Sequence, residues 1–350
     1  MSIENFARES RAFALHLTTE FRGTTIRSGL LVQGSSGWGE FATFPEYNDV
    51  VAGRWLAGAL EAACGVWAPP IRTEVPVNAI IPILPVGPTR RAVHSAATLM
   101  GVTTFKVKVA NGTDTLAQDV ERVRTVREML TELGLPGEIR IDANAAWSVS
   151  QAVDNIKALN DAVGALDYVE QPCATVDELR ELKNAMSTWD YPVRIAVDES
   201  IRLSDSIDAT AIRDVADVAI LKSIPIGGVA RALQLAEEIG LPVVVSGSLD
   251  TSVGLASGVA LAAAVPNLYG ACGLGTGALF AEDVVVETTV PHNGVIPVGR
   301  VEPDPEMLTE VESGIARTYR AELQERMIRA WNAGAKALVS DQVREAVEAC

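Results

Sequence analysis

The chain has 350 residues, 48% of them apolar and 21% charged, with 45 acidic against 29 basic residues and a formal net charge of -16. That length allows a large barrel plus a smaller domain, and the charge argues against nucleic acid or an anionic membrane as partner. No apolar run reaches membrane-spanning length and no basic-then-apolar start resembles a signal peptide, so a cytoplasmic protein is expected.

The first forty residues alternate like antiparallel strands in AFALHLTT, TTIRSGLLVQG and GWGEFAT, and Val50 to Gly65 then carries helical spacing of apolar residues. This predicts a small α+β unit over residues 1–75, ending in the Pro-rich stretch WAPPIRTEVPVNAIIPILP. Over residues 76–300 short apolar runs alternate with amphipathic helices: VNAIIPIL, TTFKVKVA, EIRIDAN, LDYVEQP, RIAVDES, DVAILKS, PVVVSGS and a last run near NLYGACGLG. Eight strands alternating with helices predict an α/β protein whose main domain is a (β/α)7β TIM-like barrel. An open doubly wound sheet would place a Gly-rich phosphate loop after its first strand, and none is there. Residues 301–350 read as charged amphipathic helices that serve packing or oligomer contacts, and the oligomeric state is left open.

In a β/α barrel the C-terminal ends of the strands converge on one mouth. Here those ends carry Lys106 and Lys108, then Asp142 and Asn144, then Glu170, then Asp198 and Glu199, then Lys222. Asp142, Glu170 and Asp198 are spaced 28 residues apart, one strand–helix repeat, and are expected to be neighbours. Three converging carboxylates repel unless a cation neutralises them, and an all-oxygen set suits Mg2+ or Mn2+.

Lys106 and Lys108 point to one face of their strand, and Lys222 lies across the mouth from them. Burial and neighbouring positive charge favour a neutral amine, so a lysine here is suited to act as a base near neutral pH. If the substrate is a carboxylate, a metal or a local group of lysines must reverse the repulsive field of so acidic a protein. His16, His94 and His292 fall outside the strand ends, which argues against a histidine base or a zinc site. No G-x-S-x-G elbow supports a serine nucleophile. Cys64, Cys173, Cys272 and Cys350 are widely spaced and read as reduced thiols, with Cys173 a packing residue.

KVK, IDAN, VEQP, VDES and LKSIPIGG resemble the successive signatures of the muconate-cycloisomerase subgroup of the enolase superfamily, and GWGEFATFPEY resembles the cap loop that closes over substrate there. By position the resemblance implies metal ligation by Asp142, Glu170 and Asp198. It also implies Lys108 as the base, Lys106 as its electrostatic neighbour and Lys222 as the lysine on the opposite face. FRGTTIRSGLLVQG, SGSLDTSVGLASGVALAAAVPN and ACGLGTGALFAEDVV most resemble the actinobacterial branch that dehydrates 2-succinyl-6-hydroxy-2,4-cyclohexadiene-1-carboxylate during menaquinone synthesis. Ser246, Gly247, Ser248, Gly273 and Leu274 are then expected to offer donors to the succinyl carboxylate, with Asn144 also on the substrate. The rivals are an N-acylamino acid racemase or dipeptide epimerase, a lactone-forming cycloisomerase, and a non-catalytic binding barrel.

Overall fold

The computed structural model describes residues 3–21, 23–204 and 207–349, so Cys350 lies outside the described residues. Strands β1 (Arg11–Phe21), β2 (Thr24–Gly34) and β3 (Gly37–Phe41) form an antiparallel sheet in that order. One face packs on the helix Asp49–Cys64, which buries Ala52, Trp55, Leu56, Ala59, Leu60 and Ala63 at helical spacing. Sheet and helix approach so closely that a Cβ at Gly39 would fall 2.0 Å from Ala59 O; only glycine permits the contact.

The helices Pro305–Ser313, Ala316–Ala330 and Asp341–Ala349 pack on this cap, and Leu308, Met327 and Val343 share its core with Leu15, Leu30 and Leu56. Arg326 also donates to the carbonyls of Thr43, Phe44 and Tyr47, at 3.2, 2.9 and 2.6 Å. The last segment therefore braces a cap loop that reappears at the site.

After β4 (Glu74–Pro76), seven strands follow one another in chain order. They are β5 (Ala79–Ile81), β6 (Thr104–Lys108), β7 (Glu138–Asp142), β8 (Tyr168–Glu170), β9 (Arg194–Val197), β10 (Val218–Leu221) and β11 (Val243–Val245). All their pairings are parallel. The eighth run closes the ring through isolated bridges: Tyr269 N and Gly273 N donate to Val243 O and Val245 O, while Asn78 N donates to Cys272 O and Cys272 N to Pro76 O, all at 2.7–2.8 Å. β12 (Val295–Pro297) returns antiparallel to β4. Three successive outer helices, Leu116–Glu132, Val149–Val163 and Val176–Met186, start at capping boxes formed by Thr115 with Gln118, Ser148 with Gln151 and Thr175 with Glu178.

The pleat sorts the barrel residues by parity. Phe105, Val107, Ile139, Ile141, Val169, Ile195 and Leu221 join the core under the helices, whereas Tyr168, Ala196, Val218, Ile220 and Val244 form a separate cluster inside the ring. Lys106, Arg140, Asp142, Glu170, Asp198 and Lys222 share that inward parity. Arg140, fully buried, plugs the barrel beneath the mouth: its Nε donates to Asp167 at 2.7 Å, its Nη1 to Ala271 O at 2.5 Å, and its guanidinium lies 4.7 Å from the Tyr168 ring centroid. Replacing Arg140 by alanine leaves Asp167 without its buried cation, and urea unfolding is expected to show a loss of roughly 3–5 kcal/mol. An unchanged midpoint would exclude this structural role.

Candidate active site

Among the described residues, five of the six non-glycine residues at positive φ, Ala110, Asn144, Ala145, Gln171 and Leu249, sit just past barrel strands, so strained backbone gathers at the mouth. There the predicted residues meet as ion pairs. Lys106 Nζ lies 2.9 Å from both oxygens of Glu170 and 3.5 Å from Asp142 Oδ2. Lys108 Nζ lies 2.5 Å from Asp142 Oδ2 and 2.8 Å from Asn144 Oδ1. Lys222 Nζ stands 2.8 Å from Asp198 Oδ2, and Arg202 Nε 3.0 and 3.1 Å from the two oxygens of the same carboxylate. Arg202 also reaches Glu199 Oε1 at 2.6 Å and the Tyr47 hydroxyl of the cap at 2.7 Å. Four cations thus balance four anions in this cluster.

Burial first, and then the charge of Asp142, push the Glu170 carboxyl up to about 7, although Lys106 opposes the shift. Burial alone would lower Lys106, but the charges of Glu170 and Asp142 outweigh it and hold this ammonium well above its ordinary value. Sequence reasoning expected neighbouring cations and burial to favour a neutral amine; at Lys106 the carboxylates reverse that outcome. At Lys222 burial prevails over the charge of Asp198 and the amine is lowered. Asp142 and Asp198 are held well below the usual carboxylate range: burial would raise both, but Lys108 outweighs it at Asp142 and Arg202 at Asp198.

Among the described residues no three His, Cys, Asp or Glu side chains are gathered closely enough to hold an ion. The reason lies in the ion pairs: Lys106 bridges Asp142 and Glu170, while Lys222 and Arg202 take up Asp198. The donor set nonetheless suits a hard divalent cation, since three buried carboxylates on consecutive strands raise Glu170 by their mutual charge. A divalent ion would relieve that repulsion once the ammonium groups turn aside.

The central cavity, of about 30 Å³, is lined by Lys106, Lys108, Asp142, Asn144, Arg202 and Lys222 on one side and by Ser246 to Leu249 on the other, with Phe21 and Phe44 of the cap. Phe21, Lys108 and Asn144 also border an outer pocket of about 620 Å³. Lys108 Nζ lies 5.5 Å from the Phe21 ring centroid.

The Enolase C-terminal domain-like family matches residues 89–304 and the Enolase N-terminal domain-like family residues 12–63. The chain belongs to the enolase superfamily. Within this superfamily, an o-succinylbenzoate synthase of Thermobifida fusca is 51% identical over 304 residues, 86% of this chain and 91% of that protein. An o-succinylbenzoate synthase of Mycobacterium ulcerans is 45% identical over 295 residues, 84% and 85% of the two chains. Among solved structures, muconate lactonizing enzyme from Pseudomonas fluorescens in complex with muconolactone superposes with a TM-score of 0.69 at 18% identity, covering 87% of this chain and 97% of that one.

Against the superfamily expectation, the loop beyond β11 offers fewer donors than the sequence suggested. Gly247 N donates to Gly273 O at 2.9 Å, Gly273 N to Val245 O at 2.8 Å and Ser248 N to Asp250 Oδ2 at 2.7 Å, so these amides are already committed. Gly273 and Leu274 are absent from the cavity wall, because the eighth run turns inward against Ser246 to close the ring; Thr276, from the short 3-10 turn that follows, lines it instead. Its hydroxyl is buried and makes no hydrogen bond. Sequence reasoning also missed Arg202, one helical turn beyond Asp198, since a search of strand ends stops before that turn. His16 pairs with Glu282 on the surface, and burial pushes the Cys173 and Cys272 thiols up to about 11.

Proposed function

We propose that the chain acts as an o-succinylbenzoate synthase, removing water from 2-succinyl-6-hydroxy-2,4-cyclohexadiene-1-carboxylate to give 2-succinylbenzoate, in the cytoplasm and for menaquinone biosynthesis. In this reading residues 1–75 are the cap, 76–300 the catalytic barrel and 301–350 a helical extension. The supporting observation is the single cavity that Lys108 and Lys222 share from strands four places apart in the ring, with Asp142 between them in strand order.

Lys108 takes the proton from the carbon beside the ring carboxylate and returns a proton to the departing hydroxide, so one amine serves both steps. Lys106, kept charged by Glu170, is the electrostatic neighbour of that amine. Lys222 faces the ring from the other side, where its ammonium stabilises the enediolate. Asp142, Glu170 and Asp198 would hold Mg2+ or Mn2+, which supplies a Lewis acid for the charge gathering on the substrate carboxylate. Charge balance supports the scheme: the cluster is neutral as it stands, and a divalent cation with a dianionic substrate leaves it neutral. Phe21, Lys108 and Asn144 border both this cavity and the outer pocket, so the substrate has a way in from the outer pocket past these three side chains.

The purified protein with Mg2+ is expected to convert the hydroxycyclohexadiene to the aromatic product, followed by ultraviolet absorbance; no conversion at any pH between 6 and 9 would defeat the proposal. Amines on both walls also suit two-base racemisation of an N-succinylamino acid. Incubation of that compound in deuterated water decides whether this second activity exists: α-deuterium exchange with racemisation is its signature, and retention of protium and configuration excludes it.

A further inference from the structure

The far wall of the cavity, residues 246–251, is held from outside the barrel. Leu249 there adopts φ 59°, a left-handed conformation that a residue with a Cβ enters under constraint. Two cap residues supply the constraint. Arg27 on β2, buried, donates from Nε to Leu249 O at 2.9 Å and from Nη2 to Ser248 O at 3.3 Å, and its guanidinium lies 4.2 Å from the Phe44 ring centroid. Glu40 on β3, also buried, accepts at Oε2 from Thr251 N at 2.9 Å and from Thr251 Oγ1 at 2.5 Å, at the start of the helix Ser252–Ala264.

Glu40 and Asp250 are neighbours: a Cβ on Gly254 would fall 2.6 Å from Glu40 Oε2 and 3.0 Å from Asp250 Cβ. Their other oxygens, Glu40 Oε1 and Asp250 Oδ1, are buried without a hydrogen-bond partner. The cation facing Glu40 is Arg27; Arg27 and Lys222 face Asp250, and Asp283 bonds Ser252 at the same helix start. Burial, and then the charge of Asp250, push Glu40 up to about 8.

We propose that Glu40 and Arg27 are positioning residues of the active site: from the cap they set the backbone of residues 246–251, the wall that receives the end of the substrate remote from the reacting carbon. This rests on the function proposed above. With its carboxyl pushed up to about 8, Glu40 carries a proton near pH 7, which spares the buried carboxyl groups of Glu40 and Asp250 their mutual repulsion. Above about pH 8 two buried carboxylates face each other and the wall loosens.

Glu40→Gln is uncharged at every pH and keeps an acceptor for Thr251. For the metal-loaded wild type, KM is expected to rise about tenfold between pH 7 and 9 with kcat changed less than about twofold, whereas KM of Glu40→Gln stays level over that range. Amide hydrogen exchange without substrate reads the wall directly. After correction for intrinsic rates, residues 246–252 exchange faster at pH 9 than at pH 7 in the wild type but not in Glu40→Gln, while β7 stays protected in both. Coincident KM profiles and coincident exchange overturn the proposal. A protein that shows the exchange response but no dehydration refutes the assigned reaction and leaves the positioning role standing.

Discussion

Lys108→Ala is expected to fold and to bind the divalent ion, yet to lose turnover by a factor of about 10²–10⁴, the range that positioned acid–base groups contribute. Stability should change little, because Lys106 remains 3.5 Å from Asp142 after the Lys108 ammonium is gone. Metal affinity should hold or rise, since one of the cations competing for the Asp142 carboxylate has been removed. Circular dichroism, titration with Mn2+ and a turnover assay on the same preparation separate the three quantities. Dehydration at the wild-type rate by this variant would remove Lys108 from the base role and transfer attention to Lys222.

Asp198→Asn carries the second large effect, with two independent parts. It removes a proposed metal ligand, so Mn2+ affinity should fall by at least about 100-fold with turnover falling alongside. It also leaves Arg202 and Lys222, both buried, without the carboxylate they share, and stability should drop by roughly 3–5 kcal/mol. The two parts are told apart by adding Arg202→Met, which removes one stranded cation: stability should partly recover while metal affinity stays low. If Asp198→Asn instead bound Mn2+ like the wild type, the carboxylate would be an ion-pair partner alone.

Much of this site could be read from local patterns. The 28-residue spacing of Asp142, Glu170 and Asp198 is a property of the strand–helix repeat, and it places them at the ends of β7 and β8 and just past the end of β9. The lysines at 106 and 108 declare their common face by parity alone, because a strand turns each side chain opposite to the last. Other expectations failed where they depended on partners rather than on position. The neutral amine that burial and neighbouring cations favour in a lysine is not realised at Lys106, where the nearest groups in space are the carboxylates of Glu170 and Asp142. The amides of Gly247, Ser248 and Gly273 were expected to meet substrate, but ring closure and Asp250 had already engaged them.

The sequence by itself therefore determined the barrel, its order of strands and which polar residues stand at the mouth, since periods of two residues and of one strand–helix unit are local and survive without knowledge of distant contacts. The tertiary structure alone decided how that mouth is furnished. Arg27 meets Leu249 across 222 residues of chain, Glu40 meets Thr251 across 211, and Arg202 meets Tyr47 across 155. No periodicity encodes such pairings, because each is selected by the docking of the cap on the barrel, where burial makes an unpartnered charge or carbonyl too costly to leave.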